Sequence, residues 1–260
     1  MSNIQLFILI LVFFFTSAIG VVTGSNSLIT VPAMFQLGID EKVAIATNMF
    51  GLVFMAIGGA IPFIRQGTVN IRRLSPLIVM TIIGSAIGAA IVGLITNRSI
   101  KVIVTVAMIV IVLFTLLKND RRALSNEVEA EKDGKSARFS KHMLLGFAFT
   151  FLLAIYGGLY SGGYVTVLTA TFIAFFGMSY TESIAATKVI NIFSSSIATA
   201  VFIYQGLVDF RLGVILGVTM FVAAYIGAQF ATRMNEVWLR RIFLLAVLLL
   251  AIKTVFDLAI

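Results

Sequence analysis

Charge is scarce in this sequence. Lys, Arg, Asp and Glu make up 12% of the 260 residues, whereas hydrophobic residue types make up 60%, and the mean hydropathy is +1.09. A soluble domain is about a quarter charged. A chain with so few charges cannot solvate the surface of a globule, so most of its outer surface is expected to face the lipid bilayer. The composition therefore predicts an all-α polytopic membrane protein with one membrane domain.

Cysteine is absent, and histidine occurs once, at His142. The missing cysteines exclude disulfides, thiol catalysis and cysteine-based metal sites, and a single histidine cannot by itself build a histidine metal site. The Gly-x-x-x-x-Gly-Lys-Ser/Thr motif of ATP-binding loops is also absent, which argues against primary transport by this chain alone. We therefore expect no cofactor, no metal and no enzymatic activity.

Long apolar segments dominate what the sequence does contain. A bilayer core about 30 Å thick requires about 20 apolar residues per helix. The apolar segments lie at roughly 4–36, 43–63, 74–96, 100–117, 142–177, 183–204, 212–232 and 239–258. They predict about eight transmembrane segments. The first lacks the positive flank of a signal peptide, so we interpret it as a retained span.

Two of these segments, 4–36 and 142–177, are too long for one straight helix. Small and polar residues interrupt each of them, at Gly24–Ser27 and at Gly157–Gly163. Such breaks leave backbone groups unpaired, which a membrane tolerates only inside protein or beside a water-filled cavity. We therefore expect segments 1 and 5 to be broken or re-entrant.

A polar stretch divides the chain in the middle. Residues 118–141 carry seven Lys or Arg residues and five Asp or Glu residues. We predict a first transmembrane repeat at 1–117, a cytoplasmic polar linker at 118–141 and a second transmembrane repeat at 142–260. The net charge of +8 comes from basic residues between the apolar runs, which typically orient a membrane protein, so we expect no nucleic-acid partner.

The two halves resemble each other at a fixed spacing of 139 positions. Matching pairs include Gly24 with Gly163, Gly38 with Gly177, Gln66-Gly67 with Gln205-Gly206, Arg72 with Arg211, and Ile87-Gly88-Ala89 with Ile226-Gly227-Ala228. Internal repeats are common in secondary transporters, with the substrate site at the repeat interface. The repeats are parallel if the long segments each cross once, and inverted if they are re-entrant; the distribution of basic residues does not decide between the two.

Lys188 is the one charge well inside segments 2 to 7. A charge within a span is costly and normally faces a cavity or a partner. Thr187 precedes it and Asn191 lies three residues later on the same helix face. The alternative is that Lys188 extends its long side chain to the membrane interface. We predict a polar pocket formed by Lys188, Thr187 and Asn191.

The two breaks are the second candidate for a binding site. A helix that restarts after a break presents free N–H groups and a partial positive charge, which suits an anion. The candidate donors are Ser25, Asn26, Ser27, Ser161, Gly162 and Gly163, with Asn48 at the first-half position equivalent to Lys188. The alternative is a close helix-packing face, which also selects small residues.

These motifs, in this order, resemble a known family. The first break is followed by Leu28-Ile29-Thr30-Val31-Pro32, and the second by Gly177, Ala185-Ala186-Thr187-Lys188-Val189-Ile190-Asn191 and Gln205-Gly206-Leu207-Val208-Asp209. The pattern resembles the sulfite exporter TauE/SafE family, also called the toluene sulfonate uptake permeases, although the first break has fewer glycines than is usual there. The resemblance implies movement of sulfite, sulfonates and related sulfur-containing anions across the bacterial inner membrane, often outward.

We therefore predict a multi-pass secondary transporter of the bacterial inner membrane that moves small sulfur-containing anions by alternating access. A proton is the expected coupling ion, with Glu182 and His142 as candidate proton carriers, and a homo-oligomer is compatible with the sequence. The alternatives are an anion channel, a membrane scaffold without transport, and an intramembrane hydrolase that would need His142 beside Ser161.

Overall fold

The computed structural model describes residues 2–24, 26–68, 71–104, 106 and 136–233, with backbone alone for 136–142. All the regular secondary structure in these residues is helical. The helices are α1 (Asn3–Thr23), α2 (Ser27–Gln36), α3 (Glu41–Arg65), α4 (Ile71–Leu94), α5 (97–104), α6 (Ser136–Leu159), α7 (Tyr164–Phe176), α8 (Tyr180–Tyr204) and α9 (Phe210–Ala231).

Five helices in the described part of the chain are long and apolar enough to cross a membrane, namely α1, α3, α4, α8 and α9. Their outward faces carry large apolar side chains such as Phe7, Phe15 and Phe230, which are exposed as lipid-facing residues should be. The prediction of a polytopic all-helical membrane protein is confirmed. The predicted segment 239–258 and most of 100–117 lie outside the described residues.

Both long apolar segments are divided at their glycines. α1 ends at Gly24, whose φ of 72° lies in the left-handed region, and α2 begins at Ser27. In the second half α6 ends at Leu159, and Gly163, with a φ of 73°, precedes α7. α6 begins at Ser136, inside the stretch predicted as a linker, because residues 136–141 continue the helix of the following span.

The chain reverses direction at the second break. Phe147 and Phe149, in the middle of α6, pack against Phe176 and Phe175 at the end of α7, with ring centroids 5.3 and 5.6 Å apart. In the first half, Ser2 and Leu6 at the start of α1 share a cavity with Ile39, which follows α2. The end of α7 therefore lies beside the middle of α6, and the residue that follows α2 lies near the start of α1.

The helices of the two halves are interleaved. α1 packs on α9 and α6 packs on α4, while α3 packs on both α8 and α9, and α8 on α4. α3 and α8 run in opposite directions. Near the start of α3 the Thr47 hydroxyl accepts a hydrogen bond from the N–H of Asp209, which follows α8, whereas further along α3 Gly59 lies beside Lys188, near the start of α8.

Small residues allow the closest helix contacts. A Cβ on Gly88 in α4 would overlap the backbone of Ile155 in α6, and a Cβ on Gly227 in α9 would overlap the carbonyl oxygen of Ala18 in α1. These glycines therefore serve helix packing, the role that small residues commonly have in membrane helices.

Candidate functional site

A small buried cavity of about 20 Å³ lies between the two breaks. Its polar lining consists of Lys188, Asn191, Asn26, Ser27 and Ser161, and its remaining lining consists of Gly20, Gly24, Leu52, Met55 and Val165. A cavity of this size has room for about one water molecule. The folding of α1–α2, α3, α6–α7 and α8 around one point thus brings together side chains that lie far apart in the sequence.

Lys188 lies about two turns after the start of α8 and is 2% exposed. Its Nζ donates a long hydrogen bond, 3.4 Å, to the carbonyl oxygen of Gly20, and within the described residues no carboxylate pairs with it. Gly59 in α3 lies beside the lysine side chain, and a Cβ there would make an ordinary 3.7 Å contact with the Lys188 Cδ but would approach the Val21 Cγ2 to 2.8 Å. The cavity therefore has a cationic group without a protein counter-charge.

Asn26 precedes α2 at the first break and is 4% exposed. Neither its amide nitrogen nor its amide oxygen has a hydrogen-bond partner. Buried polar groups in proteins are nearly always paired, and one left unpaired costs about 1–3 kcal/mol. The Asn26 amide therefore offers an unused donor and an unused acceptor to whatever enters the cavity.

A hydrogen-bond network joins the two breaks. The Ser27 and Ser161 hydroxyl oxygens lie 2.7 Å apart, and the Asn48 amide donates to the Ser27 hydroxyl at 2.9 Å. The Thr30 hydroxyl donates to the Asn48 amide oxygen at 2.8 Å, and the Tyr160 hydroxyl donates to the Ser27 carbonyl at 3.1 Å. Because only one of the two serine protons can lie between the hydroxyls, the other remains available to a ligand.

Asn191 completes the polar lining from α8. Its amide oxygen accepts a hydrogen bond from the Ser195 hydroxyl at 3.3 Å. The nitrogen is then the group that Asn191 can offer to the cavity. Lys188, Asn191 and at least one serine thus supply donors, which suits an anion.

Other predicted site residues lie near the cavity without lining it. The Thr187 hydroxyl donates to the carbonyl of Ile184 in its own helix, at 2.8 Å. The Gly162 carbonyl accepts from the Tyr156 hydroxyl, and Gly163 provides the left-handed turn before α7. Asn48 lies behind Ser27, and Ser25 lies outside the described residues.

The sequence analysis missed four lining residues, namely Gly20, Val165, Leu52 and Met55. Leu52 and Met55 lie four and seven residues after Asn48 in α3. Residues at these spacings share a helix face, so an explicit test of the face that carries Asn48 would have found them.

The acidic residues near the helix ends have structural roles. Asp40 caps α3 by accepting from the N–H groups of Lys42 and Val43, and Glu41 pairs with Lys101 at 2.7 Å. Glu182 is exposed, and its carboxylate accepts from the N–H of Ser179 in a capping box. Capping by Asp40 and Glu182 is the role that interfacial acids before a span commonly have.

The hydrolase alternative requires His142 beside Ser161. α6 is a continuous helix that carries His142 in its second turn, and Ser161 follows its last residue, Leu159. Seventeen helical residues rise about 25 Å, so the backbone of His142 lies at the far end of α6 from Ser161. That arrangement does not place a histidine base at the serine.

The profile of one protein family matches nearly the whole chain. The family is described as sulfite exporter TauE/SafE, and the match covers residues 9–254. This chain belongs to the TauE/SafE family. The family assignment makes the protein a membrane transporter homologue, and membrane transporters of this kind are not enzymes.

Several curated relatives align with this TauE/SafE protein along almost their full length. Probable membrane transporter protein ORF9 from Sinorhizobium is 24% identical over 244 residues, which are 94% of this chain and 90% of the relative. A probable membrane transporter protein of Haemophilus influenzae is 24% identical over 250 residues, which are 96% of this chain and 94% of the relative. YfcA of Escherichia coli, also a probable membrane transporter, is 23% identical over 260 aligned residues, which cover 98% of this chain and 91% of the relative. No solved structure matches the chain significantly.

Proposed function

We propose that this TauE/SafE protein is a secondary transporter that carries small sulfur-containing anions across the bacterial cytoplasmic membrane by alternating access. The observation that carries the proposal is the buried cavity in which the Lys188 ammonium has no protein carboxylate and the Asn26 amide has no partner. An ionisable residue within a membrane span marks a substrate or ion pathway by default. An anion would supply both the missing counter-charge and the missing hydrogen-bond partner.

The size of the cavity favours a carrier over a channel. An oxyanion of sulfur has several heavy atoms and is larger than the one water molecule that about 20 Å³ can hold. The site must therefore widen before a substrate binds. A channel would instead need a continuous polar path, whereas Leu52, Met55 and Val165 form much of the cavity wall.

We further propose that the two halves are inverted repeats, each with a re-entrant broken segment. All six glycines with positive φ among the described residues form pairs 139 positions apart, namely Gly24 with Gly163, Gly38 with Gly177 and Gly67 with Gly206. In this repeat α1 corresponds to α6 and α4 to α9, so the α1–α9 contact has its equivalent in the α6–α4 contact. α3 runs opposite to its counterpart α8. Inverted repeats provide two alternative packings of one bundle, which is the basis of alternating access.

Anion flux into proteoliposomes tests the proposed function. Sulfite, methanesulfonate and sulfate are compared for the wild type, Lys188→Gln and the control Lys101→Gln, which removes a lysine charge from an exposed position in α5. We expect a sulfur oxyanion to enter with saturable kinetics in the wild type and the control, and about 30-fold or more slowly in Lys188→Gln. Equal flux in all three proteins would remove Lys188 from the site, and no flux with the wild type would favour a scaffold.

A further inference from the structure

We propose that Lys188 is itself the proton carrier of this transporter, so that one proton and one monovalent anion cross the membrane together. This inference rests on the proposed transport function and adds the identity of the coupling group. The sequence left Glu182 and His142 as candidates, and neither is at the cavity: Glu182 is exposed and tied to the N–H of Ser179, and His142 lies about 25 Å from the end of α6.

The helices of the first half bring no ionisable partner to Lys188. α1 and α2 contain no Asp, Glu, His, Lys or Arg in their sequences. In α3 the charged residues lie at the two ends, at Glu41 and Lys42 in the first turn and at Arg65 in the last. Glu41 is paired with Lys101 there, away from the cavity. In α4, which packs on α8, the charged residues are two arginines in the first turn, and one of them, Arg73, donates to the carbonyl of Phe176.

The second half is equally poor in partners. α7 has no charged residue, and α9 carries Arg211 only in its first turn. α6 has Arg138, Lys141 and His142 near its beginning, at the opposite end from the break. Of the phenols beside the second break, Tyr156 donates to the Gly162 carbonyl and Tyr160 to the Ser27 carbonyl, and the Tyr164 hydroxyl lies beside Ser194 and Thr81.

The charge state of the empty cavity follows from these surroundings. A buried ammonium whose contact is one carbonyl at 3.4 Å is poorly compensated, and an uncompensated charge at membrane depth costs several kcal/mol unless the group becomes neutral. Carrying that charge through the membrane would add to the barrier of the empty carrier. The geometry therefore favours a neutral amine when the cavity is empty and an ammonium when an anion occupies it.

The binding step is balanced in charge and atoms. A proton from water binds the lone pair of the Lys188 amine as the anion enters, and the ammonium and the anion together are neutral. Asn26 and the free serine proton bind the anion oxygens at the same time. On the other side of the membrane the anion leaves, the ammonium returns its proton to water, and the neutral empty carrier reorients. Net transport is thus one proton with one monoanion.

Methanesulfonate is the probe of choice, because it stays a monoanion across the working pH range. The protons that move with it therefore do not come from protonation of the anion itself. In wild-type proteoliposomes we expect uptake to move one proton per methanesulfonate, measured with a pH dye and labelled anion together. Setting the membrane potential with K⁺ and valinomycin should leave the rate unchanged. A current with no proton movement would overturn the inference while leaving the proposed function intact. If sulfite is carried and methanesulfonate is not, the same proton count is made with sulfite at a pH at which hydrogensulfite predominates, and uptake without a proton would overturn the inference in the same way.

Lys188→Arg separates binding from proton transfer. A guanidinium keeps the positive charge but does not release its proton. We expect exchange of labelled for unlabelled methanesulfonate to stay within about threefold of wild type, whereas net proton-coupled uptake falls about tenfold or more, because the empty charged carrier cannot return. Undiminished net uptake by a folded Lys188→Arg protein would refute the inference. If the larger side chain prevents exchange as well, the wild-type stoichiometry and potential dependence decide alone.

Discussion

At the scale of single residues, Asn26 and Asn48 have opposite relations to the protein around them. Both are buried amides within the same region, but Asn48 is bonded to Ser27 and Thr30 whereas Asn26 has no partner. A paired buried amide contributes to stability, and an unpaired one lowers it. We therefore propose that Asn48 has a structural role and that Asn26 has a ligand-binding role.

Replacing each asparagine with alanine tests this separation. We expect Asn26→Ala to leave the thermal midpoint in detergent unchanged or slightly higher, and to raise the KM for the transported anion about tenfold, or about 1.4 kcal/mol. Asn48→Ala should lower the free energy of unfolding by about 1–3 kcal/mol, because it removes the buried hydrogen bonds that Asn48 makes with Thr30 and Ser27. Equal destabilisation by both changes, with unchanged KM for Asn26→Ala, would contradict the assignment.

At the scale of the elements, the two broken segments are held together at their breaks. The Ser27 and Ser161 hydroxyls form one of the direct contacts between the segment α1–α2 and the segment α6–α7, beside the hydrogen bonds from Tyr160 to the Ser27 carbonyl and from Thr166 to the Thr23 carbonyl. A site with room for one water molecule must widen before it accepts an oxyanion, and we propose that these two breaks separate when it does. The contact would then belong to one conformation of the proposed transport cycle.

A reversible cross-link tests whether the breaks must separate. The chain has no cysteine, so Ser27→Cys with Ser161→Cys introduces one unique pair at positions whose oxygens lie 2.7 Å apart. We expect oxidation to reduce anion flux about tenfold or more relative to the same protein before oxidation, and a reductant to restore it. Each single cysteine variant serves as a control that oxidation should leave unaffected. Full flux in the cross-linked protein would show that the breaks stay together.

At the scale of the whole molecule, the interleaved helices give both halves a share of one cavity. Lys188, Asn191 and Ser161 come from the second half, and Asn26 and Ser27 from the first. The arrangement makes the site dependent on the relative position of the two halves. A small rotation of one half against the other would widen the cavity toward one end of the bundle or the other.

The inverted arrangement that we propose predicts on which side of the membrane equivalent residues lie. Arg65 ends α3 and Tyr204 ends α8, at positions 139 apart, and both are exposed. In Arg65→Cys and Tyr204→Cys, a membrane-impermeant maleimide applied to intact cells should label one residue and not the other, and permeabilised cells should label both. Labelling of both from the same side would indicate parallel repeats.

Hydropathy and low charge were sufficient to predict the membrane class, and the paired glycines to predict the position of both breaks, whereas the family came from the resemblance of motifs such as 185–191 and 205–209. These features are local: a span is recognised by about 20 apolar residues, and a break by glycines that adopt conformations other residues avoid. Lys188 could be singled out for a similar reason, since a charge within an apolar segment is costly whatever its neighbours.

Only the tertiary structure decided which side chains face the cavity. The spacing of Thr187, Lys188 and Asn191 gives their positions around α8, but not the rotation of α8 against α1 and α3, which depends on packing with residues far away in the sequence. That rotation directs Lys188 and Asn191 to the cavity and leaves the Thr187 hydroxyl bonded within its own helix. Likewise, no local pattern shows that Asn48 is paired and Asn26 is not, because the partners of Asn48 come from a different helix.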